Sequence, residues 1–441
     1  MQTRFTQAQL ADPDIAECDR ILRACVHCGF CTATCPTYLL TGDELDGPRG
    51  RIYLAKDMLE RGRPADAITV KHLDRCLTCL SCMTTCPSGV HYMHLIDHAR
   101  RHIERTYRRP WRERALRSLL AFVLPHPARF RFALRAARFA RPMRSLLPQR
   151  LRTMLDLAAV TPPASGSDVT EPTPAAAKPA EERASRAVRR VALLPGCVQP
   201  VLRPSVNDAT IRLLGRLGIE VIVARGTGCC GALVHHLGRE EDMRAQAIAD
   251  IEAWNGELAS HGLDAIVVNA SGCGTMLKDY GFLFRRDERY AAPAARVSEL
   301  ARDVTELLDP GDLAPRRNVR GLRVAYHSAC SLQHGQKIHQ HPIGLLRAAG
   351  FEVIEVPEGH LCCGSAGTYN MLQPELADRL RERKVRNIES VRPDVVAAGN
   401  LGCMHQIAQG TRIPVVHTVE LLDWATGGPT PPGLESLTDA A

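Results

Sequence analysis

Eight cysteines in the first quarter of the chain have the residue type and the spacing that bind iron. They repeat one phrase, CxxCxxCxxxCP, as Cys25, Cys28, Cys31 and Cys35, and again as Cys76, Cys79, Cys82 and Cys86. A cubane [4Fe–4S] cluster needs four thiolates at the corners of a tetrahedron, and three cysteines two residues apart on a tight turn supply three of them. Disulfides would leave the repeat unexplained, and a zinc site is typically built from two separated CxxC pairs. The spacing therefore predicts two [4Fe–4S] clusters.

The fourth ligand of each predicted cluster comes from the other copy of the phrase. In two-cluster ferredoxins the cysteine before the proline reaches across to the neighbouring cluster. We therefore expect residues 1–105 to form an α-helical two-cluster ferredoxin-like domain. The crossing predicts one cluster on Cys25, Cys28, Cys31 and Cys86, and the other on Cys76, Cys79, Cys82 and Cys35.

A second internal repeat occupies the carboxyl-terminal half of the chain. Each copy contains a cysteine after a short β-branched segment, then a Cys-Cys-Gly triplet, then a further cysteine, and the copies are offset by 133 residues from Cys197 to Cys330. Strand-like and helix-like segments alternate in both copies, which predicts parallel sheets with right-handed crossovers. We expect two α/β cysteine-rich domains, 188–310 and 320–428, that face each other as a pseudo-dimer.

The repeat cysteines form two candidate metal sites at the carboxyl ends of the predicted strands, where the ligands of parallel sheets collect. Four thiols suffice for a further iron–sulfur or zinc site. The alternatives are a redox dithiol and buried structural thiols, since free cysteine packs as a small hydrophobe. Cys18 belongs to no motif and is expected to be structural. The two candidate sets are Cys197, Cys229, Cys230 and Cys273, and Cys330, Cys362, Cys363 and Cys403.

Both halves of the chain carry motifs of known families. The Cys-Cys-Gly repeat resembles the cysteine-rich (CCG) domain of heterodisulfide reductases. The whole arrangement resembles the iron–sulfur subunits of flavin-dependent hydroxy-acid dehydrogenases, those of glycolate oxidase in particular. The matching stretches are HCGFCTATCPTYLLTGDELDGPRGRIYLAK (27–56), LDRCLTCLSCMTTCPSGVHY (73–92), GCCGALVHHLG (228–238) and HSACSLQHGQKI (327–338).

The repeats depart from the reductase pattern at their last cysteine. In the reductases each motif ends in CxxC, whereas here the endings are Cys273-Gly-Thr-Met276 and Cys403-Met-His-Gln406, so each copy has four thiols. Four histidines near the motifs are expected to be structural or to support the ligands rather than to bind metal. They are His27, His235, His236 and His334.

The resemblance implies an electron-transfer role. A flavin-containing dehydrogenase subunit of a glycolate oxidase complex would oxidise the substrate, and this chain would pass electrons to a quinone or another carrier. The sequence contains no convincing GxGxxG fingerprint, P-loop or Ser-His-Asp constellation, so no catalytic residue is assigned and the chain alone is expected not to oxidise an organic substrate. The alternatives are an iron–sulfur subunit of a lactate or anaerobic glycerol-3-phosphate dehydrogenase, and a thiol–disulfide or quinone reductase acting at the CCG sites.

An arginine-rich segment and a linker separate the two halves. Residues 106–160 contain apolar side chains at roughly helical spacing with arginines between them, which predicts amphipathic helices. Their basic face is either solvated or docked on a protein partner or an anionic lipid surface. Nucleic acid is disfavoured, because no helix-turn-helix, zinc finger or aromatic platform accompanies the charge. Residues 161–187 are rich in Pro, Ala, Ser and Glu and are expected to form a flexible linker.

Composition is consistent with a chain of two or three globular domains. It has 441 residues, of which 45% are hydrophobic and 24% charged, and a formal net charge of +8. The 17 cysteines are an odd number and the first ten residues contain no apolar signal core, which favours a reducing, cytoplasmic location over a secreted one. No apolar run approaches the roughly 18–20 residues of a membrane span. Any membrane contact is therefore expected to be peripheral, on the cytoplasmic face of the inner membrane.

Overall fold

The computed structural model describes residues 1–140, 190–313 and 315–435. Helices form the first of these segments, and two parallel sheets with their helices form the other two. The predicted linker, 161–187, and residues 141–160 of the arginine-rich segment lie outside the described residues. None of the described helices combines the length and the apolar composition that a membrane span requires.

Ten α-helices make up the described part of the amino-terminal region. Their starts follow local sequence rules: the Asp12 and Asp66 side chains accept hydrogen bonds from first-turn amides, and Pro36 and Pro48 occupy the first helical positions. The helices are α1 (Gln7–Leu10), α2 (Pro13–Ala24), α3 (Phe30–Ala33), α4 (Pro36–Thr41), α5 (Pro48–Glu60), α6 (Ala67–Asp74), α7 (Ser81–Thr85), α8 (Tyr92–Thr106), α9 (Trp111–Val123) and α10 (Pro127–Ala140).

Each cysteine-rich repeat folds around a four-stranded parallel sheet. The strand order is β2-β1-β3-β4 in the first repeat and β6-β5-β7-β8 in the second, so the two sheets have the same topology. Parallel neighbours need crossover connections, which the intervening helices provide. The strands are β1 (Arg190–Leu193), β2 (Glu220–Ile222), β3 (Ala265–Val268), β4 (Ala301–Asp303), β5 (Arg323–His327), β6 (Glu352–Glu355), β7 (Val395–Ala398) and β8 (Val415–His417).

Helices cover both faces of these sheets. All residues of β3 and β7 are buried, as expected for strands at the centre of a sheet that is covered on both sides. The helices of the first repeat are α11 (Gln199–Leu202), α12 (Pro204–Arg216), α13 (Ala232–His236), α14 (Glu240–His261), α15 (Ser271–Leu283) and α16 (Ala291–Leu300), and those of the second are α17 (Gln340–Ala348), α18 (Tyr369–Leu372), α19 (Pro374–Ser390), α20 (Leu401–Ala408) and α21 (Thr418–Ala425).

The two repeats share one hydrophobic core, so they face each other as predicted. Leu214 of α12 and Leu422 of α21 are completely buried members of this core. Polar contacts flank it, because Arg212 and Arg216 both donate to the buried carboxylate of Asp423, at 2.7 and 2.5 Å. The fold class predicted from the sequence, a helical ferredoxin-type region followed by two α/β cysteine-rich domains, is confirmed.

The iron–sulfur region docks on both repeats. Its contacts with the first repeat include ion pairs from Arg101 to Glu240 and from Asp14 to Arg286. The Tyr369 hydroxyl of the second repeat donates to the carbonyl of Arg75 at 3.2 Å. The iron–sulfur region is therefore held against both repeats.

The described part of the arginine-rich segment forms a hairpin of the helices α9 and α10. Two of its arginines are buried rather than solvated: Arg109 and Arg117 both bind the carboxylate of Asp74, at 2.6 and 2.9 Å. These ion pairs hold the hairpin on the iron–sulfur region. The hairpin also exposes large apolar side chains, which are Trp111, Leu119, Phe122, Phe132 and Phe139.

Candidate metal centres

The two cysteine phrases fold into matching turns. The residue before the second cysteine is left-handed in both copies, with φ of 59° at His27 and 51° at Thr78, and so is the residue after it, with 86° at Gly29 and 62° at Leu80. A left-handed β-branched threonine is uncommon, and such strained residues persist where the surrounding structure imposes them, often at functional sites. Each turn wraps the backbone around its thiols and then begins a short helix, α3 or α7.

The first thiol set surrounds one pocket. Cys25, Cys28, Cys31 and Cys86 line it together, and Cys82 of the second set also reaches it. Burial, and after it the thiols of Cys25 and Cys86, raises the pKa of Cys31 to about 11, because thiolates this close repel each other. A cationic group shared by these sulfurs would remove that penalty.

The second thiol set combines three cysteines of the second phrase with Cys35 of the first. Burial raises the pKa of Cys82 well above its usual value, and the thiols of Cys79, Cys76 and Cys35 add to the effect. The two phrases also touch through the hydroxyls of Thr34 and Thr85, which lie 3.1 Å apart. The structure thus brings each predicted set together, including the residue that crosses from the other phrase.

Positive charge is concentrated at the second set. Although burial opposes ionisation, the guanidinium groups of Arg51 and Arg100 lower the pKa of Cys76 below its usual value. The amide of Thr78 donates to the Cys76 sulfur at 3.4 Å, and the Tyr92 hydroxyl lies 3.8 Å from it. Cations and hydrogen bonds to sulfur stabilise thiolates and tune the potential of a bound cluster.

The first cysteine-rich repeat also gathers its four thiols. A hydrogen bond to Cys229 and burial raise the pKa of Cys197, and Cys230 is in turn hydrogen-bonded to Cys229 and Cys273. The set therefore forms a chain of contacting sulfurs at the carboxyl ends of β1, β2 and β3.

The second repeat gathers its thiols in the same way. The sulfurs of Cys330 and Cys362 lie 3.8 Å apart. Hydrogen bonds continue from Cys362 to Cys363 and from there to Cys403. Cys330 directly precedes a π-helical turn, Ser331–Gly335, and such turns are rare and often occur at functional sites.

Comparison with known proteins agrees with this geometry. A family described as "4Fe-4S dicluster domain" matches residues 21–90, and one described as "Cysteine-rich domain" matches 191–278 and 324–408. The chain is 45% identical over 426 residues to the glycolate oxidase iron-sulfur subunit of Escherichia coli, covering 96% of this chain and 99% of that protein. The chain belongs to the glycolate oxidase iron–sulfur subunit family.

Other proteins that are similar to this chain are more distant. It is 30% identical to the probable glycolate oxidase iron-sulfur subunit of Bacillus subtilis, covering 92% of this chain and 94% of that protein. Lactate utilization protein A of Anoxybacillus flavithermus is 28% identical, covering 53% of this chain and 98% of that protein. A crystal structure of a hypothetical protein from Helicobacter pylori shares the fold, with a TM-score of 0.54 at 10% identity, covering 95% of this chain and 73% of that one.

The thiols of this family member fit iron–sulfur clusters. Thiolates are the ligands that such clusters use, and the turn around the second set points the amide of Thr78 at the sulfur of Cys76. Cys79 of the second set lies beside the CCG thiols. It packs in one buried cluster with Cys362. Burial raises the pKa of Cys79, and the thiol of Cys330 adds to that effect. The second and fourth thiol sets are therefore neighbours.

A cavity of about 580 Å³ lies between the thiols of the two cysteine-rich repeats. Thiols of both repeats reach its wall, and its lining is mostly apolar. The α9–α10 hairpin covers one side with Leu120, Leu124, Phe130 and Leu134. The sequence predicted ligands at these strand ends, but it did not indicate that one cavity joins both repeats.

The histidines near the motifs differ in their surroundings. His334 is hydrogen-bonded at both ring nitrogens, to the Thr84 hydroxyl at 2.8 Å and to the His360 carbonyl at 3.0 Å, and His235 pairs with Asp97 at 3.2 Å. Sequence reasoning missed His327, whose ring lies beside the thiols of the second repeat. The available signal was its position three residues before Cys330.

Proposed function

We propose that this chain is the electron-transfer subunit of a flavin-dependent glycolate dehydrogenase complex. The observation that carries the proposal is the crossed arrangement of the first two thiol sets in a member of the glycolate oxidase iron–sulfur subunit family. In this proposal residues 1–105 hold two [4Fe–4S] clusters, and the repeats at 188–310 and 320–428 form the acceptor side. Each bound cluster would take up one electron at a time.

Electrons enter at the first thiol set. Cys28 is the one exposed thiol among the eight cysteines of the two phrases, all of which the structure describes. Large apolar side chains are exposed around it, with Val26 67%, Phe30 62% and Tyr53 56% accessible. Exposed apolar patches of this kind mark protein interaction sites. We assign this surface to the flavin-containing dehydrogenase subunit.

Electrons leave at the cavity between the repeats. The contact of Cys79 with Cys330 and Cys362 joins the iron–sulfur region to the cavity wall. An apolar cavity of about 580 Å³ suits a quinone head group better than a hydrophilic carrier, because burying charged groups there would cost solvation. A quinone is therefore the acceptor that the cavity supports best.

The α9–α10 hairpin is the side from which a membrane quinone would arrive. One side of the hairpin covers the cavity, and Phe132 and Phe139 are exposed, at 73% and 85% accessibility. Exposed arginines lie between these apolar groups, a combination that binds anionic lipid surfaces. We place the hairpin against the cytoplasmic face of the inner membrane.

A second candidate substrate is lactate. It is favoured by the similarity to the lactate utilization proteins, which however covers about half of this chain. In either case a partner subunit oxidises the hydroxy acid. The two candidates predict the same path of electron transfer through this chain and differ in the flavin subunit that reduces it.

The test is reduction of the anaerobically purified chain by glycolate or lactate, with and without a flavin-containing dehydrogenase subunit, followed by EPR. The proposal predicts about eight irons in the first two thiol sets and reduction by glycolate only when the flavin subunit is present. Disulfide reduction by the chemically reduced chain without a partner would instead favour a thiol–disulfide reductase. Faster reduction by lactate than by glycolate would favour the lactate complex.

A further inference from the structure

His327 is a buried histidine whose ring nitrogens are both unused. It ends strand β5 with 1% of its surface accessible, and neither Nδ1 nor Nε2 has a hydrogen-bond partner among the described residues. Buried polar side chains nearly always have a partner, so an imidazole without one calls for a ligand. By contrast, His334, seven residues later, is hydrogen-bonded at both nitrogens.

The unused ring faces the thiols of the second repeat. One ligand atom of His327 and the sulfurs of Cys363 and Cys403 all lie within 4.8 Å of one another, and all three residues are buried. The Cys330–Cys362 pair, with its sulfurs 3.8 Å apart, completes the cluster of donors. The second repeat thus offers one imidazole and four thiols.

The spacing of the donors suits a single metal ion. Two thiolates on one tetrahedral zinc ion, each about 2.3 Å from the metal, lie about 3.8 Å apart. The ligand atoms of His327, Cys363 and Cys403 all lie within 4.8 Å of one another, close enough to bind one such ion. A cubane cluster holds its four thiolates on four different irons, so its ligand sulfurs stand farther apart than two ligands of one ion. Three thiolates with one imidazole are also a common zinc donor set.

Buried charge around the site balances such an ion. Three thiolates and one Zn²⁺ leave one negative charge, and the buried Lys384 lies next to the loop that leads to Cys362. The ammonium is held in place by the carbonyl of Glu358, at 2.9 Å.

The first repeat lacks the imidazole. Leu194 stands three residues before Cys197, where His327 stands three residues before Cys330, and it is a buried core side chain. Its four thiols therefore have no nitrogen donor at the equivalent position. The duplicated domains differ at the residue that would complete a mixed nitrogen–sulfur site.

We propose that the second cysteine-rich repeat holds one tetrahedral zinc ion, with His327, Cys363 and Cys403 as ligands and a fourth thiolate from the Cys330–Cys362 pair. The ion fixes the carboxyl ends of β5 and β7 and the Cys-Cys-Gly loop beside Cys79. Zinc has no redox chemistry of its own, so its role is to shape this wall of the cavity. The site goes beyond the proposed electron-transfer function and does not depend on the substrate of the complex.

The test is the metal content of the full chain purified anaerobically from cells supplied with both iron and zinc. We expect about one zinc per chain in the unaltered protein, with nitrogen at about 2.0 Å and sulfur at about 2.3 Å in zinc-edge X-ray absorption. The His327→Leu variant, which copies the first repeat, should lose most of the zinc and keep its iron and its cluster EPR signals. The matched Cys273→Ser variant in the first repeat should keep the zinc.

Three results would overturn the site: a zinc-free unaltered chain, a zinc spectrum with sulfur ligands alone, or zinc retained in His327→Leu. Excess iron that disappears in His327→Leu would also overturn it, because the site would then hold iron. The absorption spectrum needs no variant, so the proposal stays testable even if His327→Leu fails to fold. Failure of glycolate-driven reduction would leave the zinc measurement unaffected, which separates the two proposals.

Discussion

The Nη1 atom of Arg51 lies 3.9 Å from the sulfur of Cys35, and both residues are buried. The guanidinium is held there from two other sides, by the carbonyl of His72 at 2.8 Å and the hydroxyl of Thr37 at 2.9 Å. A fixed cation beside a cluster stabilises its reduced, more negative state. The second thiol set should therefore hold the cluster of higher potential.

Arg51→Gln should lower the midpoint potential of that cluster. A charge about 5 Å away at an effective dielectric constant of about 20 is worth roughly 3 kcal/mol, or on the order of 100 mV for one electron. Redox titration followed by EPR measures the shift. The surface variant Arg61→Gln, which breaks an exposed ion pair with Asp57, should leave the midpoint potentials of both clusters unchanged. Equal shifts in the two variants would show that Arg51 is not a local determinant.

Cys35→Ser should damage the second cluster, although Cys35 belongs to the first phrase. Its sulfur lies among the thiols of the second set, as the pKa shift of Cys82 indicates. The EPR component lost in Cys35→Ser should match the one lost in Cys79→Ser and differ from the one lost in Cys28→Ser. If Cys35→Ser instead resembles Cys28→Ser, each phrase holds its own cluster and the crossing is wrong.

Asp423→Ala should loosen the contact between the two repeats. It removes the buried carboxylate that binds Arg212 and Arg216 and leaves both cations without that partner. We expect a loss of about 2 kcal/mol, below the usual cost of breaking a buried pair because the arginines stay partly exposed. Thermal melting under anaerobic conditions measures it. The partly exposed carboxylate of Asp378, paired with Arg381, provides the control, and Asp378→Ala should change stability little.

The buried imidazole of His417 should make the fold acid-sensitive. Burial lowers its pKa from 6.5 to about 4. Between these values the unfolded chain binds a proton that the native chain does not, so stability falls as the pH drops below 6.5. This group alone contributes about 1.4 kcal/mol per pH unit in that window.

His417→Asn tests this pH dependence without removing the helix cap. His417 accepts from the amide of Val419 at the start of α21, and asparagine can do the same. Urea unfolding at pH 5, 6 and 7 should show a shallower loss of stability in the variant. The exposed His261→Asn should follow the unaltered protein. Parallel pH profiles for all three proteins would contradict the assignment.

The α9–α10 hairpin should bind anionic membranes through its exposed phenylalanines. The double variant Phe132→Ser with Phe139→Ser removes two side chains that are 73% and 85% accessible, and should weaken sedimentation with phosphatidylglycerol vesicles by roughly tenfold or more. Phe30→Ser, on the surface assigned to the flavin subunit, is the control and should bind vesicles normally. If the unaltered protein does not sediment with these vesicles at low salt, the membrane contact is ruled out.

Strand β4 shows where sequence reasoning fell short of the fold. It has three residues, Ala301–Asp303, and two of them are charged, so neither length nor alternation marks it as a strand. Its pairing with the buried strand β3 decides the conformation. The equivalent strand of the second repeat, β8, lies in an apolar stretch and all three of its residues are buried. Local pattern suffices where a strand is apolar and fails where sheet pairing overrides composition.

Local spacing by itself determined the thiol sets, the duplication and the alternation of strands and helices, because each of these depends on residues that are near in sequence or repeat at a constant interval. Tertiary structure alone decided that Arg51 lies beside Cys35, that Cys79 touches the thiols of the second repeat, and that His327 faces Cys363 and Cys403. The cavity between the repeats belongs to the same class. Such contacts join segments that are far apart in the chain, and their distances come from how helices and sheets pack.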